Sequence, residues 1–147
     1  MNDETTDILL VEDSQDDARF FTRAIEESRL GTRLRIARNG VEAMAMIFGV
    51  GDPDQAMPVI WPRLVVLDLK MPMVGGREVL RRLKGNLHTR SIPVVVFSSS
   101  VEKRELVESY HLGANSCVVK PTDFEEFRKA VRLLGQYWLQ FNQPSKP

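Results

Sequence analysis

The sequence has one cysteine, no long apolar run and no excess of charge of either sign. Cys117 cannot form an internal disulfide, which is typical of proteins kept in a reducing compartment. No apolar stretch approaches the ~20 residues that cross a bilayer, and the acidic first residues do not resemble a signal peptide. Its 20 basic and 20 acidic side chains leave no net charge to attract DNA or RNA. We therefore expect a cytoplasmic protein that binds neither membranes nor nucleic acid.

Short apolar runs alternate with longer stretches of helical spacing along the 147 residues. Such runs favour strands that are buried on both faces of a parallel sheet. Because crossovers between parallel strands are right-handed, five repeats of strand and helix predict an α/β fold, a doubly wound five-stranded sheet with helices on both faces. The runs are Ile8–Val11, Leu34–Ala37, Leu64–Leu67, Val94–Phe97 and Cys117–Val119.

Helix starts and loops divide the chain further. Three pairs of residues have the capping-box interval, and Gly49–Pro62 is rich enough in glycine and proline to predict a long loop. We expect one domain over residues 5–142, a disordered tail over residues 143–147 and no output domain. The capping pairs are Ser14 with Asp17, Ser99 with Glu102, and Thr122 with Glu125.

Polar residues directly follow four of the apolar runs, where a doubly wound sheet binds its ligands. Glu12 and Asp13 follow the first run, Asp68 the third, Ser98 the fourth and Lys120 the fifth. Clustered carboxylates repel one another, and a hard cation such as Mg²⁺ relieves that repulsion. A carboxylate placed there can attack phosphorus, while metal and lysine stabilise the charge in transfer. Each residue alone has an ordinary surface or capping role, but together they predict a phosphoacceptor site on Asp68.

These motifs, taken in order, resemble the response-regulator receiver family of two-component signalling over about residues 7–139. The resemblance implies a flavodoxin-like sheet with the strand order 2-1-3-4-5. The long loop and the segment Tyr137–Asn142 are similar to single-domain regulators that pair with phytochrome-type histidine kinases. The motifs are Glu12-Asp13, Leu67-Asp68-Leu69-Lys70-Met71-Pro72, Gly75-Gly76, Ile92–Ser98, Gly113-Ala114-Asn115 and Lys120-Pro121.

The resemblance also implies a role for each site residue. Asp68 would accept the phosphoryl group from a sensor histidine kinase. Asp13, Asp68 and the backbone carbonyl of Lys70 would bind Mg²⁺ directly, with Glu12 acting through water. Ser98 would bind a phosphoryl oxygen and switch position, and Lys120 would pair with the phosphate. The bond between Lys120 and Pro121 would be cis.

Other functions fit the sequence less well. A hydrolase with an aspartyl-phosphate intermediate would need a second aspartate where Lys70 stands, so we expect no enzyme. A nucleotide or flavin module would need a glycine-rich turn after the first strand, where this chain is acidic. A phosphorylation-independent docking module of receiver fold remains the alternative. Cys117 stands where receivers commonly carry an aromatic switch residue, which makes such a switch doubtful here.

The last helix carries more apolar residues than one packed face requires. We expect Phe124, Phe127, Val131, Leu134, Trp138 and Phe141 to pack on the sheet. The excess predicts a symmetric homodimer through the fourth helix, the fifth strand and the last helix, sensitive to phosphorylation. The interface candidates are Leu133, Tyr137, Trp138 and Phe141.

Overall fold

The apolar runs form five parallel strands in the order β2-β1-β3-β4-β5, which confirms the predicted fold. The arrangement comes from a computed structural model that describes residues 5–145; residues 146 and 147 of the predicted tail lie outside the described residues. Val11 pairs with both Ala37 and Leu67, so the ends of three strands are level. The strands are β1 Ile8–Val11, β2 Leu34–Ala37, β3 Leu64–Leu67, β4 Val94–Ser98 and β5 Ser116–Val119.

Helices connect the strands and cover both faces of the sheet. α1 and α5 pack on one face around Phe21 and Phe127, and α2 and α3 pack on the other around Ile47 and Leu80. Among residues 5–145, no helix combines the length and apolar character needed to cross a bilayer. The helices are α1 Gln15–Glu27, α2 Gly40–Phe48, α3 Gly76–Gly85, α4 Lys103–Leu112 and α5 Phe124–Gln136.

Of the three predicted capping pairs, only the first is correct. Ser14 caps α1 by accepting a hydrogen bond from the Asp17 amide. The capping box of α4 is Glu102 with Glu105, three residues beyond the predicted Ser99, and α5 is capped by Asp123 instead of Thr122. A carboxylate oxygen accepts a hydrogen bond from a backbone N–H group as readily as a hydroxyl oxygen does. The spacing of the residues alone therefore does not determine which of them caps the helix.

The loop over residues 49–62 contains no helix or strand and is held in place by a buried side chain. Asn86, at the end of α3, donates hydrogen bonds to the carbonyl oxygens of Pro53 and Ala56. Its own side-chain oxygen accepts from the His88 amide. The long loop is therefore anchored to the connection between α3 and β4.

The apolar stripe of the last helix packs on the sheet only in its middle. After α5 the chain makes a π-helical turn over Tyr137–Phe141, in which the Asn142 amide bonds to the Tyr137 carbonyl. This wider turn changes which residues share a face, and Phe141 is left 71% exposed instead of packed. Phe124 is also exposed, so the prediction was wrong at both ends of the stripe. The core contacts are made by Phe127, Val131, Leu134 and Trp138.

The bond between Lys120 and Pro121 is trans, like every other peptide bond among the described residues. The predicted cis bond is therefore wrong. Trans is the cheaper isomer of an X-Pro bond by about 0.5–1 kcal/mol. The trans chain still brings the Lys120 ammonium into the cluster of carboxylates described below, so the site does not require the cis form.

Candidate functional site

The carboxyl edge of the sheet brings together the last residue of β4, Ser98, and the polar residues that follow β1, β3 and β5. The Asp68 amide donates to the Val11 carbonyl, which places Asp68 beside Glu12. The Lys120 amide donates to the Ser98 carbonyl at 2.7 Å. The parallel ladder thus aligns side chains that lie more than a hundred residues apart in the sequence.

Asp68 is a buried carboxylate whose first oxygen has two hydrogen-bond donors. Ser98 Oγ donates to Asp68 Oδ1 at 2.7 Å, and the Lys70 amide donates to the same oxygen at 3.1 Å. Asp68 is 7% exposed and Ser98 is fully buried. These two donors fix the orientation of the Asp68 carboxylate, which leaves the other oxygen to act as a nucleophile.

Lys120 is the buried positive charge of the site. Its Nζ lies 2.6 Å from Glu12 Oε1, 2.8 Å from Asp17 Oδ2 and 3.3 Å from Asp68 Oδ2. An ammonium group has three N–H donors, so these carboxylates use its full capacity. The second Glu12 oxygen accepts from the Ser14 amide.

Burial and neighbouring charge shift the pKa values of Glu12 and Lys120 in opposite directions. Burial raises the pKa of the Glu12 carboxyl to about 7, although Lys120 lowers it. Burial also lowers the pKa of Lys120, but the carboxylates of Asp17, Glu12 and Asp68 outweigh burial and leave that pKa above its ordinary value. Lys120 is therefore charged throughout the physiological pH range.

One group of carboxylates has the spacing of a metal site. Glu12, Asp13 and Asp68 each offer an oxygen, and these oxygens lie within 4.8 Å of one another. Asp13 is exposed while the other two are buried, so the group opens to solvent on one side. Oxygen donors of this kind suit a hard divalent cation that keeps several waters. The residues present therefore fit Mg²⁺ or Mn²⁺.

Gly76, the first residue of α3, packs against the backbone of the phosphoacceptor candidate. A Cβ at this position would lie 2.0 Å from the Asp68 carbonyl oxygen, closer than any real contact. Only glycine lets α3 begin at this distance from the end of β3. The second glycine of the Gly75-Gly76 motif is thus required by the geometry, whereas a Cβ at Gly75 would meet only ordinary contacts at 3.8 Å.

Asp17 is a site residue that the sequence analysis missed. It was assigned only to the cap of α1, yet its side chain reaches Lys120. Because Asp13 precedes α1 and Asp17 lies in its first turn, the four-residue interval between them does not show whether Asp17 faces the site. Outside this cluster, Lys70 Nζ donates to Ser100 Oγ at 2.8 Å.

Cys117 lies half-buried on β5 with a free thiol. Burial raises the pKa of this thiol, while a hydrogen bond with Tyr110 of α4 lowers it. The net rise keeps Cys117 in the neutral form, which is the less reactive form of a thiol. Its place on the strand is that of a structural residue.

The fold and the site define a doubly wound α/β domain with a hydrogen-bonded aspartate, a group of three carboxylates with the spacing of a metal site, and a buried lysine at one edge. The model of the response regulator receiver domain matches residues 8–132. The chain therefore belongs to the response-regulator receiver family.

Several response regulators are similar to this protein over nearly the whole chain. Response regulator Rcp1 of Synechocystis is 35% identical over 133 residues, which are 90% of this chain and 88% of that protein. Its Mn²⁺-bound crystal structure has a TM-score of 0.82, with 95% of this chain and 98% of that one covered and 33% identity.

Two solved structures of phytochrome response regulators are also similar to this protein over nearly the whole chain. The phosphorylated cyanobacterial phytochrome response regulator RcpA is 31% identical with a TM-score of 0.85, and 97% of this chain and 99% of that one are covered. The bacteriophytochrome response regulator AtBRR is 41% identical with a TM-score of 0.67, covering 95% of this chain and 99% of that one.

Proposed function

We propose that this receiver accepts a phosphoryl group on Asp68 in a reaction that depends on Mg²⁺. The observation that carries the proposal is the buried Asp68 carboxylate, bonded to Ser98 on one oxygen and facing Lys120 with the other. The related RcpA has been crystallised in a phosphorylated form and Rcp1 with Mn²⁺, which supports the same chemistry here.

Each residue of the site has a role in this reaction. With a histidine kinase as the donor, an Asp68 oxygen forms a bond to phosphorus while the bond from phosphorus to the phosphohistidine nitrogen breaks. The electron pair of the broken bond leaves with that nitrogen. Ser98 then donates to a phosphoryl oxygen, and Lys120 neutralises a second one. Asp13, Asp68 and the Lys70 carbonyl would hold Mg²⁺ directly, with Glu12 acting through water, and the metal would supply further positive charge.

Intact-mass measurement tests the phosphoacceptor directly. Wild type, Asp68→Asn and the exposed control Asp54→Asn are incubated with Mg²⁺ and acetyl phosphate, with and without a chelator. We expect one phosphate on wild type and on the control, none on Asp68→Asn and none with chelator. An adduct that survives Asp68→Asn would contradict the assignment. No adduct on wild type would favour the phosphorylation-independent docking module.

We propose that the phosphate donor is a sensor histidine kinase of the phytochrome type. The similarity to the phytochrome response regulator RcpA and the bacteriophytochrome response regulator AtBRR over nearly the whole chain supports this choice. The direct test is transfer of labelled phosphate from an autophosphorylated phytochrome-type kinase to wild type and to Asp68→Asn. Transfer no faster than from an unrelated histidine kinase would refute this pairing.

For output we propose a homodimer built from α4, β5 and α5. Leu133 and Tyr137 are more than half exposed, and Phe141 follows them at the same four-residue spacing. Tyr110 of α4 and Val119 of β5 are also about half exposed. A row of exposed apolar residues on a helix is self-complementary about a two-fold axis, so a second copy is the partner that fits it. Trp138, the remaining candidate, is partly buried against the core and would contribute less.

Sedimentation velocity over a range of concentrations tests the dimer. Wild type is compared with Leu133→Glu and with Met57→Glu, a matched change at an exposed apolar residue of the long loop. We expect Leu133→Glu to be monomeric and Met57→Glu to associate like wild type, with beryllofluoride shifting the equilibrium. If wild type is monomeric at high concentration both with and without beryllofluoride, the dimer is refuted.

A further inference from the structure

Asp17 and Glu12 hold the same ammonium group but differ in their access to water. The side chain of Glu12 is 3% exposed, and that of Asp17 is 32% exposed. A buried carboxylate that loses its partner retains the cost of an unpaired charge, whereas a part-exposed carboxylate is rehydrated. Of the two short contacts to Lys120, the one with Asp17 is therefore the cheaper to break.

The donors of Lys120 are fully used before any phosphate arrives. Its Nζ is closest to Glu12 and Asp17 and furthest from Asp68, at 3.3 Å. A phosphoryl group on Asp68 would bring new acceptor oxygens to a cation that has no N–H to spare. The N–H that faces Asp68 can pass to a phosphoryl oxygen, but a closer approach of Lys120 to that group lengthens its shorter contacts with Glu12 and Asp17. The exposure difference selects the contact with Asp17 as the one that breaks.

We propose that Asp17 is a positioning residue that competes with the phosphoryl group for Lys120 and releases the lysine on phosphorylation. The inference rests on the proposed function and extends it to the control of the same site. Glu12 and the hydrogen bond from the Lys120 amide to Ser98 keep the lysine in the site without Asp17. Loss of the Asp17 charge therefore frees the lysine without displacing it.

The competition predicts a gain of function on removal of a carboxylate. Asp17→Asn should accept phosphate from acetyl phosphate roughly three- to tenfold faster than wild type, the effect of one part-exposed charged hydrogen bond. The lifetime of the aspartyl phosphate should stay close to that of wild type, because Asp17 has already released Lys120 in the phosphorylated protein.

Asp16→Asn is the matched control. Asp16 lies in the same first turn of α1 and is exposed, so its loss removes the same charge from the helix N-terminus without touching Lys120. We expect Asp16→Asn to match wild type within twofold, and Asp17→Glu to restore wild-type rates through a carboxylate that still reaches the lysine. Equal rates for Asp17→Asn and Asp16→Asn would overturn the inference.

The release of Lys120 by Asp17 can also be followed in the wild-type protein itself. The carboxyl carbon of Asp17 is followed by ¹³C NMR before and after addition of Mg²⁺ and beryllofluoride, with the spectrum of Asp17→Asn for assignment. We expect its chemical shift to move towards that of a solvated aspartate when the phosphoryl analogue binds. An unchanged shift would show that Asp17 keeps Lys120 and would overturn the inference.

The two proposals fail in different ways. If wild type takes up phosphate on Asp68 but the Asp17 and Asp16 variants behave alike, phosphoryl acceptance stands and the competition is refuted. If wild type takes up no phosphate on Asp68, both are refuted.

Discussion

Ser98 Oγ donates a hydrogen bond of 2.7 Å to Asp68 Oδ1 across 30 residues of sequence. The pairing of β3 with β4 sets this contact, because Ser98 is the last residue of its strand and Asp68 directly follows the neighbouring one. Both side chains are buried, so the hydroxyl is held where a phosphoryl oxygen on Asp68 would lie within its reach.

The first prediction concerns this hydroxyl. Ser98→Ala should still take up phosphate, since Asp68, Asp13 and Lys120 remain. The rate from acetyl phosphate should fall roughly ten- to 150-fold, because one hydrogen bond to a charged group contributes about 1.5–3 kcal/mol. Ser99→Ala removes a hydroxyl from the next residue, which is exposed, and should leave the rate unchanged. Equal rates for the two variants would contradict a role for Ser98 in the reaction.

The second prediction concerns the buried cation. Lys120→Met leaves Glu12, Asp17 and Asp68 without their counter-charge, so the free energy of unfolding without metal should fall by about 3–5 kcal/mol. Mg²⁺ should bind this variant more tightly than wild type, since a positive charge beside the metal site is gone. Urea unfolding and isothermal titration with Mg²⁺ measure the two effects. Weaker Mg²⁺ binding by Lys120→Met would contradict the placement of the metal among these carboxylates.

Strand-end residues could be predicted because a parallel sheet has a simple geometry. Each apolar run ends where its strand ends, and the carboxyl ends of parallel strands meet at one edge, so Asp68 and Lys120 were found without coordinates. Asp17 was missed because it lies on a helix, where reaching the site depends on how α1 is rotated about its axis. That rotation is set by the packing of Phe21 and Ile25 in the core, which spacing alone does not reveal.

In the C-terminal segment, the sequence pattern predicts a shared helix face that the structure does not have. Helical spacing placed Trp138 and Phe141 on one face, but the π-helical turn separates them, with Trp138 against the core and Phe141 exposed. Hydrogen bonding over five residues instead of four changes the register of the helix, and nothing in the apolar pattern marks this change. The trans bond at Pro121 is a similar case, since the energy difference between the isomers is small and its outcome depends on the surrounding loop.

The third prediction compares the two glycines at the ends of α3. Gly76→Ala would place a Cβ 2.0 Å from the Asp68 carbonyl oxygen, so the backbone beside the phosphoacceptor must shift. We expect a loss of about 1–3 kcal/mol in the free energy of unfolding together with weaker Mg²⁺ binding. Gly85→Ala meets nothing within 4 Å and should be neutral or stabilising by about 0.5–1 kcal/mol. Mg²⁺ affinity that is equal in the two variants would contradict the role given to Gly76.

The fourth prediction concerns Lys84, a half-buried lysine far from the phosphoacceptor edge. Its Nζ donates to the carbonyl oxygens of Arg90 and Ile92 and to Asn115 Oδ1, all of them neutral acceptors. Burial without an opposite charge lowers the pKa of Lys84 from its ordinary 10.5 to about 8. Between these two pH values the unfolded chain holds more protons than the folded protein, so this lysine makes the free energy of unfolding rise with pH.

Lys84→Met removes that contribution and keeps much of the apolar stem. The difference in free energy of unfolding between wild type and Lys84→Met should stay constant below about pH 8 and grow in favour of wild type up to about pH 10. Urea unfolding of both proteins at intervals across this range provides the measurement. Lys129→Met, at an exposed position on α5, should show no such growth. A difference that shrinks as the pH rises would mean that the folded protein binds the Lys84 proton more tightly than the unfolded chain, and that the three carbonyl acceptors outweigh the cost of burial.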